Sequence, residues 1–309
     1  MPAPMPKPFP PQPTQGPLIF DRRLLRARHR RAVAAGPETF LLDRAAADLA
    51  ERLNAVLRRF DLVLDLGTPG DGATLAGVPT VGRIIAARAA LPEKEGTTKF
   101  VMADEEALPF APAAFDLVVS ALSLQFVNDL PGTLVQIRRV LKPDGLFVAA
   151  LAGGATLSEL RESFAIAESE IDGGVSPRVA PFADVRDLGA LLQRAGFALP
   201  VTDVDRITVR YGTVFALMHD LRRMGATNAL IDRRRVPLRR ATLFRMAEIY
   251  AERFADPDGR LRATFEIVWL AGWAPHPSQQ QPLKPGSARA RLADALGTRE
   301  ISTGEKAGE

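Results

Sequence analysis

The apolar run Leu62–Leu66 (LVLDL) leads into Asp65-Leu66-Gly67-Thr68-Pro69-Gly70-Asp71-Gly72. If that run is a parallel strand, the turn lies outside its carboxyl end, where glycines let a ligand approach the backbone. Pro69-Gly70 equally suits the central pair of a type II turn. A second segment, Ala103–Phe110 (ADEEALPF), follows the short run Lys99–Met102. Acids just past a strand, here Asp104 and Glu105, can accept hydrogen bonds from an adenine amino group or a ribose. Grouped acids are also ordinary solvated surface. A third segment, Ser120–Pro131, follows Phe115–Ala121 (FDLVVSA). There Gln125 and Asn128 can orient a substrate by hydrogen bonds, and Phe126 can stack on a flat group. Asp129 suits a helix N-cap at least as well as any contact. The ligand-side candidates are therefore Asp65, Gly67, Gly70, Asp104, Glu105 and Ser120. The substrate-side candidates are Gln125, Phe126 and Asn128. No catalytic group is assigned.

These turns need rigid elements to position them. Leu62–Leu66, Gly82–Ala87, Lys99–Met102, Phe115–Ala121 and Leu146–Leu151 are short apolar runs of the kind buried in parallel sheets. Helical spacing fills Phe20–Ala34, Leu41–Leu57 and Leu130–Leu141, the last stopped by Lys142-Pro143-Asp144-Gly145. Strands alternating with helices mean a doubly wound α/β sheet covered on both faces. Beyond Thr156 the pattern changes. Thr156–Ser169, Val185–Ala195, Val214–Met224 and Ala241–Phe254 read as helices. Val201–Val209 and Leu261–Trp273 read as late strands, suited to an antiparallel edge.

Composition narrows the chemistry. With 309 residues, 47% of them hydrophobic, the chain can build one sizeable core or two small ones. No stretch approaches the roughly 18 apolar residues of a membrane span. The absence of cysteine excludes thiolate catalysis and cysteine zinc sites. His29, His219 and His276 are too far apart in sequence to suggest a metal cluster, so no metal is expected. Residues 1–17 read as a disordered proline-rich leader without an apolar signal core, which makes the cytoplasm the expected location. Residues 18–275 form the folded domain, with a helical cap insertion at about 211–255, and 276–309 form a mobile tail. The net charge of +4 is concentrated in Arg22–Arg31 and Arg233–Arg240. Either run could meet an acidic protein, a nucleic acid or an anionic membrane surface. Without accompanying aromatics, solvated helix faces are the simpler reading, and no nucleic acid is expected.

The motifs carry a resemblance. DLG after the first strand, ADEE-x-LPF, FDLVVS-x-LSL, NDLP and LKPDGLF together resemble class I S-adenosylmethionine (SAM)-dependent methyltransferases. Further motifs are similar to the NADH dehydrogenase (complex I) assembly factors of that superfamily. They are IFDR (Ile19–Arg22), GG-x-TL-x-ELR (Gly153–Arg161), GG-x-SP-x-x-x-PF (Gly173–Phe182), DLG-x-LL-x-RAGF (Asp187–Phe197), MHDLRRMG-x-x-N (Met218–Asn228) and ATFEIVWLAGW. The resemblance spans roughly Leu18–Ala288. It implies a seven-stranded Rossmann-like fold with an antiparallel edge strand and SAM as cofactor. It also implies a protein substrate, a subunit of membrane-bound NADH dehydrogenase, modified by methyl transfer or arginine hydroxylation close to the membrane. The chain also resembles the malonyl-acyl-carrier-protein methyltransferases of biotin synthesis. A carboxyl methyltransferase and a non-catalytic assembly scaffold are therefore the alternatives.

Two departures bear on the cofactor. Pro69 and Asp71 stand where the family's first loop has its second and third glycines, and Pro69 offers no N–H. Ala87 and Arg88 stand where the second strand should end in an acid for the ribose hydroxyls. Each hydrogen bond to a charged group is worth about 1.5–3 kcal/mol, so the loss implies roughly ten- to hundred-fold weaker SAM binding. Gln125-Phe126 replaces the His-Trp found in relatives, so no histidine base is available there.

Overall fold

The computed structural model describes residues 18–70, 75, 77–89, 98–280 and 297–299. The expected leader lies outside these residues, as does most of the expected tail. Contacts divide the chain between Pro275 and His276. The first unit holds every helix and strand described below.

Seven strands form one sheet: β1 (Phe60–Leu66), β2 (Val81–Arg88), β3 (Lys99–Met102), β4 (Phe115–Ala121), β5 (Leu141–Ala152), β6 (Ala198–Tyr211) and β7 (Leu261–Trp273). Their spatial order is β3-β2-β1-β4-β5-β7-β6. The first five are parallel, β7 runs antiparallel to β5, and β6 pairs antiparallel to β7 at the outer edge. The order reverses at β1, with β2 on one side and β4 on the other. That is the switch point where doubly wound sheets bind ligands beyond the carboxyl ends.

Side-chain alternation sorts the core onto two faces. Leu64 and Leu66 of β1, Val118 of β4, and Phe147, Ala149 and Leu151 of β5 pack on one face. Helices α3 (Leu130–Val140) and α5 (Val185–Arg194) cover it through Leu134, Ile137, Leu188 and Leu192. Val63, Leu117, Val119, Leu146 and Val148 face the other way, toward Ala45, Leu49 and Leu53 of α2 (Phe40–Ala55). Burial on both faces explains why these strands read as unbroken apolar runs. A further cluster joins α4 (Ser158–Asp172), α6 (Val214–Arg223) and α7 (Arg240–Phe254) to one end of β7. Sequence signals set the helix ends. Asp21 caps α1 (Arg22–Ala34), Asp129 caps α3 and Thr213 caps α6, each accepting from a backbone N–H in the first turn. No helix among the described residues is long and apolar enough to cross a membrane.

Strands β3, β4 and β7 begin and end where the sequence places them. Two features differ. Lys142–Gly145 does stop α3, but it is not a separate turn. It is the irregular start of β5, with Asp144 at φ +61° and a register shift against Phe115/Leu117. The second difference concerns helices between the early strands. Only residues 67–80 link β1 to β2 and 89–98 link β2 to β3, and no α-helix is among the described residues of either link. Residues 71–74 and 76, directly after the glycine turn, lie outside the described residues.

Candidate functional site

The turns after β1, β3 and β4 meet. Gly67 has φ +71°, and a Cβ there would lie 2.7 Å from Glu105 Oε1 and against Ser123 Oγ. Only glycine satisfies both that backbone and that approach. Thr68 Oγ1 accepts the Ala121 N–H at 3.0 Å, which ties the first turn to the end of β4. Pro69 precedes Gly70 at φ +103°, the positive φ that a Pro-Gly turn needs at its second central residue. Asp65 is 1% exposed and Ser120 fully buried, and Asp65 Oδ1 and Ser120 Oγ have no hydrogen-bond partner among the described residues. Burial pushes the Asp65 carboxyl above the usual range, opposed by Thr68 and the Arg88 guanidinium.

Arg88 closes the next position. It ends β2, where an acid would hold the ribose, and its Nη2 lies 3.4 Å from Asp65 Oδ2. Its Nη1 donates to the Gly70 carbonyl, and the guanidinium stands 5.2 Å from the Phe100 ring centroid. The missing acid is therefore replaced by a cation that turns back toward the first loop.

The acids after β3 are engaged from the N-terminal side. Arg22 donates to Asp104 Oδ1 at 2.9 Å and pairs with Glu105, while Arg26 pairs with Asp104 Oδ2. These two arginines belong to the first basic run and point inward, whereas Arg23, Arg30 and Arg31 are exposed. A charge count cannot show this. The IFDR motif was the available signal, because it places one arginine beside the Asp21 cap. Likewise Arg233 pairs with Asp21, and Arg234 and Arg239 with Asp172, so the second run is partly internal too.

The substrate-side candidates hold this arrangement together. Asn128 Oδ1 accepts the Ile19 and Phe20 N–H groups at 2.8 and 2.7 Å, and its Nδ2 donates to the Phe20 carbonyl. Phe126 is 9% exposed and packs edge-on against Phe20 and Phe182, at ring distances of 5.6 and 6.4 Å. The expected free stacking face is thus covered by other aromatic rings. Gln125 Nε2 donates to the Leu122 carbonyl, and its Oε1 has no partner among the described residues. Asp129 caps α3 through the Gly132 N–H at 2.8 Å. His29, which sequence reasoning set aside, packs at 6.3 Å from Phe126 and against Gly225. Burial, helped by the Arg22 charge, holds its ring below the usual histidine range.

Non-glycine residues with positive φ follow the ends of two central strands. Leu122 after β4 has φ +52°, and Leu157 after β5 has φ +55°. Each costs roughly 1–3 kcal/mol, and such outliers gather at functional turns.

Fold order, a glycine turn at the switch point and three converging loops define a Rossmann-like protein of the SAM-dependent methyltransferase class. A methyltransferase-domain profile matches residues 66–149. The YcgJ protein of Bacillus subtilis shares the fold, with a TM-score of 0.51 at 17% identity over 75% of this chain and 99% of that one. The chain belongs to the family of the mitochondrial proteins named arginine-hydroxylase NDUFAF5. It is 43% identical to the human member over 282 residues, covering 87% of this chain and 81% of the relative. It is also 36% identical over 286 residues to the malonyl-[acyl-carrier protein] O-methyltransferase of Laribacter hongkongensis, covering 86% and 94%.

The cofactor of the class is S-adenosyl-L-methionine, and its methionine end is where the polar groups of these turns suit it. The unpartnered Asp65 Oδ1 and Ser120 Oγ suit the ammonium and polar end of its methionine. Asp104 and Glu105 stand on the adenine side, but Asp104 Oδ1 and Oδ2 and Glu105 Oε2 are already engaged by Arg22 and Arg26. The ribose position does not match, because Arg88 stands there.

Proposed function

We propose that this chain is an enzyme that modifies a side chain of a protein substrate during assembly of the respiratory NADH dehydrogenase. On this reading Asp65, Gly67, Gly70 and Ser120 hold the methionine end of SAM, and Asp104 and Glu105 hold the adenine side. The bound cofactor supplies a methyl group on a sulfonium. Such a leaving group asks the protein mainly for alignment. Phe126 and Asn128 shape the substrate side by fixing the N-terminal segment, and Gln125 stands beside them. The helices α6 and α7 act as the cap, within a domain of residues 18–275.

One observation carries the reading: segments that distinguish the assembly-factor family, distant in sequence, pack together beside the cofactor turns. Ile19 and Asp21 form backbone bonds with Ile231 and Ala229, and Asn228 Nδ2 donates to the Pro177 carbonyl. Gly225 packs on His29, and Phe182 on Phe126. The relatives' name, arginine-hydroxylase, supports an arginine as the modified side chain. On this reading the work is done in the cytoplasm, beside the membrane-bound complex. Deleting the gene should lower NADH dehydrogenase activity without creating a biotin requirement. Mass spectrometry of the purified complex then distinguishes an added methylene from an added oxygen. A deletion strain that respires normally but needs biotin would replace this reading with a carboxyl methyltransferase.

A further inference from the structure

Two residues past the end of β5, Gly154 lines a cavity of about 600 Å³. The cavity is walled by α4 and by the loop after it, with Ala165, Val175, Pro177, Val179 and Phe182 giving apolar surface. Phe182 also touches Phe126, so the cavity stands beside the rim that follows β4. Two arginines face it, and they differ. Arg178 is neutralised: its Nε donates to Glu168 Oε1 at 2.8 Å, and Glu168 also accepts the Ser176 N–H at 2.7 Å. Among the described residues Arg161 finds only backbone carbonyls, those of Gly154, Thr156 and Ala180, at 3.3–3.5 Å. No carboxylate of the described residues lies within ion-pair distance of it. The adjoining cavity, also lined by Gly154, contrasts with this one, because there Arg206 pairs with Glu266 at 2.8 Å.

We infer that the Arg161 cavity is a substrate subsite that takes a carboxylate on an apolar stem, supplied by an acidic side chain of the protein substrate. A half-buried guanidinium with long, neutral acceptors keeps donors free for a bidentate carboxylate. The apolar walls lower the polarity around that pair and strengthen it. The loop carrying Val175–Phe182 is held in place by fully buried Glu168, so the site is pre-formed and binding need not order it. The ELR and GG-x-SP motifs thereby gain a role that the cofactor turns do not give them. The inference deepens the protein-substrate reading and rests on it.

The test is calorimetry of the full chain with the blocked tripeptides acetyl-Leu-Glu-Leu-amide and acetyl-Leu-Gln-Leu-amide. The glutamate peptide should bind at least about tenfold more tightly, and Arg161→Gln should erase the difference. Val175→Glu, at an exposed wall position that leaves the core intact, should weaken the glutamate peptide through the added negative charge. Equal binding of the two peptides, no binding of either, or full binding by Arg161→Gln overturns the proposal. Tighter binding of malonyl-pantetheine than of the glutamate peptide overturns the peptide source. None of these outcomes depends on the respiratory phenotype, so the subsite and the assembly role can fail separately.

Discussion

Arg88 and Asp65 stand on adjacent strands with Nη2 and Oδ2 3.4 Å apart, and the carboxylate is almost wholly buried. A cation supplied by the chain thus sits where the fold would otherwise place a second acid. Removing one member of a buried pair strands the other, at a cost of about 3–5 kcal/mol. Arg88→Ala should therefore unfold at clearly lower denaturant at neutral pH, and Asp65→Asn with Arg88→Ala should regain most of the loss. Burial raises the Asp65 carboxyl. Its folded form takes up a proton at higher pH than its unfolded form, so acidification should shrink the Arg88→Ala penalty. A penalty that stays constant from neutral pH into the carboxylate range would show that Asp65 is not the charge Arg88 answers.

His29 makes the N-terminal segment acid-sensitive. Its pKa is depressed by burial and by Arg22, so the unfolded chain binds the proton first. The stability it contributes is present above the ordinary histidine value of about 6.5 and is lost as pH falls below it. Protection factors across α1, corrected for the intrinsic pH dependence of amide exchange, should fall between about pH 7 and pH 5, and His29→Phe should remove that fall. Unchanged protection in the native chain over this range would contradict the packing described.

Glu168 fastens the loop that walls the Arg161 cavity. Burial alone would raise its carboxyl, but the Ser176 N–H and hydroxyl and the Arg178 guanidinium outweigh burial and hold it below the usual range. Its contribution is therefore present above the unfolded carboxylate pKa and lost as pH falls through the lower, folded value. Glu168→Gln should lower stability by about 1–3 kcal/mol at neutral pH. It should also speed limited proteolysis between Gly173 and Asp184. Proteolysis at the native rate would mean that other contacts hold the loop.

Much of the sheet was legible because its central strands are buried on both faces. Phe115–Ala121 and Leu261–Trp273 are apolar runs with clear stops. Asp129 declared itself a cap through Pro131 and Gly132. The turns after β1, β3 and β4 were legible from residue types alone, since Asp65, Asp104 and Ser120 each stand at or just past a strand end. What periodicity could not show was which side chains reach across the fold. Arg22 and Arg26 lie in a run that reads as solvated, yet they cross to acids some eighty positions away. Asn128 looked free for a substrate, but it binds backbone at Ile19 and Phe20. The Arg161 cavity needs α4 and its following loop to be folded before the missing counter-ion becomes visible.

The central claim is that the turns after β1, β3 and β4 form one adenosyl site in this chain, weakened at the ribose by Arg88. Isothermal calorimetry of the full chain with SAM tests it most directly. The expected result is saturable heat, with binding roughly ten- to hundred-fold weaker than a site with the ribose acid intact would give. Gly67→Val should abolish that heat by driving a side chain into Glu105 and Ser123. Absence of heat and of any thermal shift at millimolar SAM, or full binding by Gly67→Val, would contradict the account.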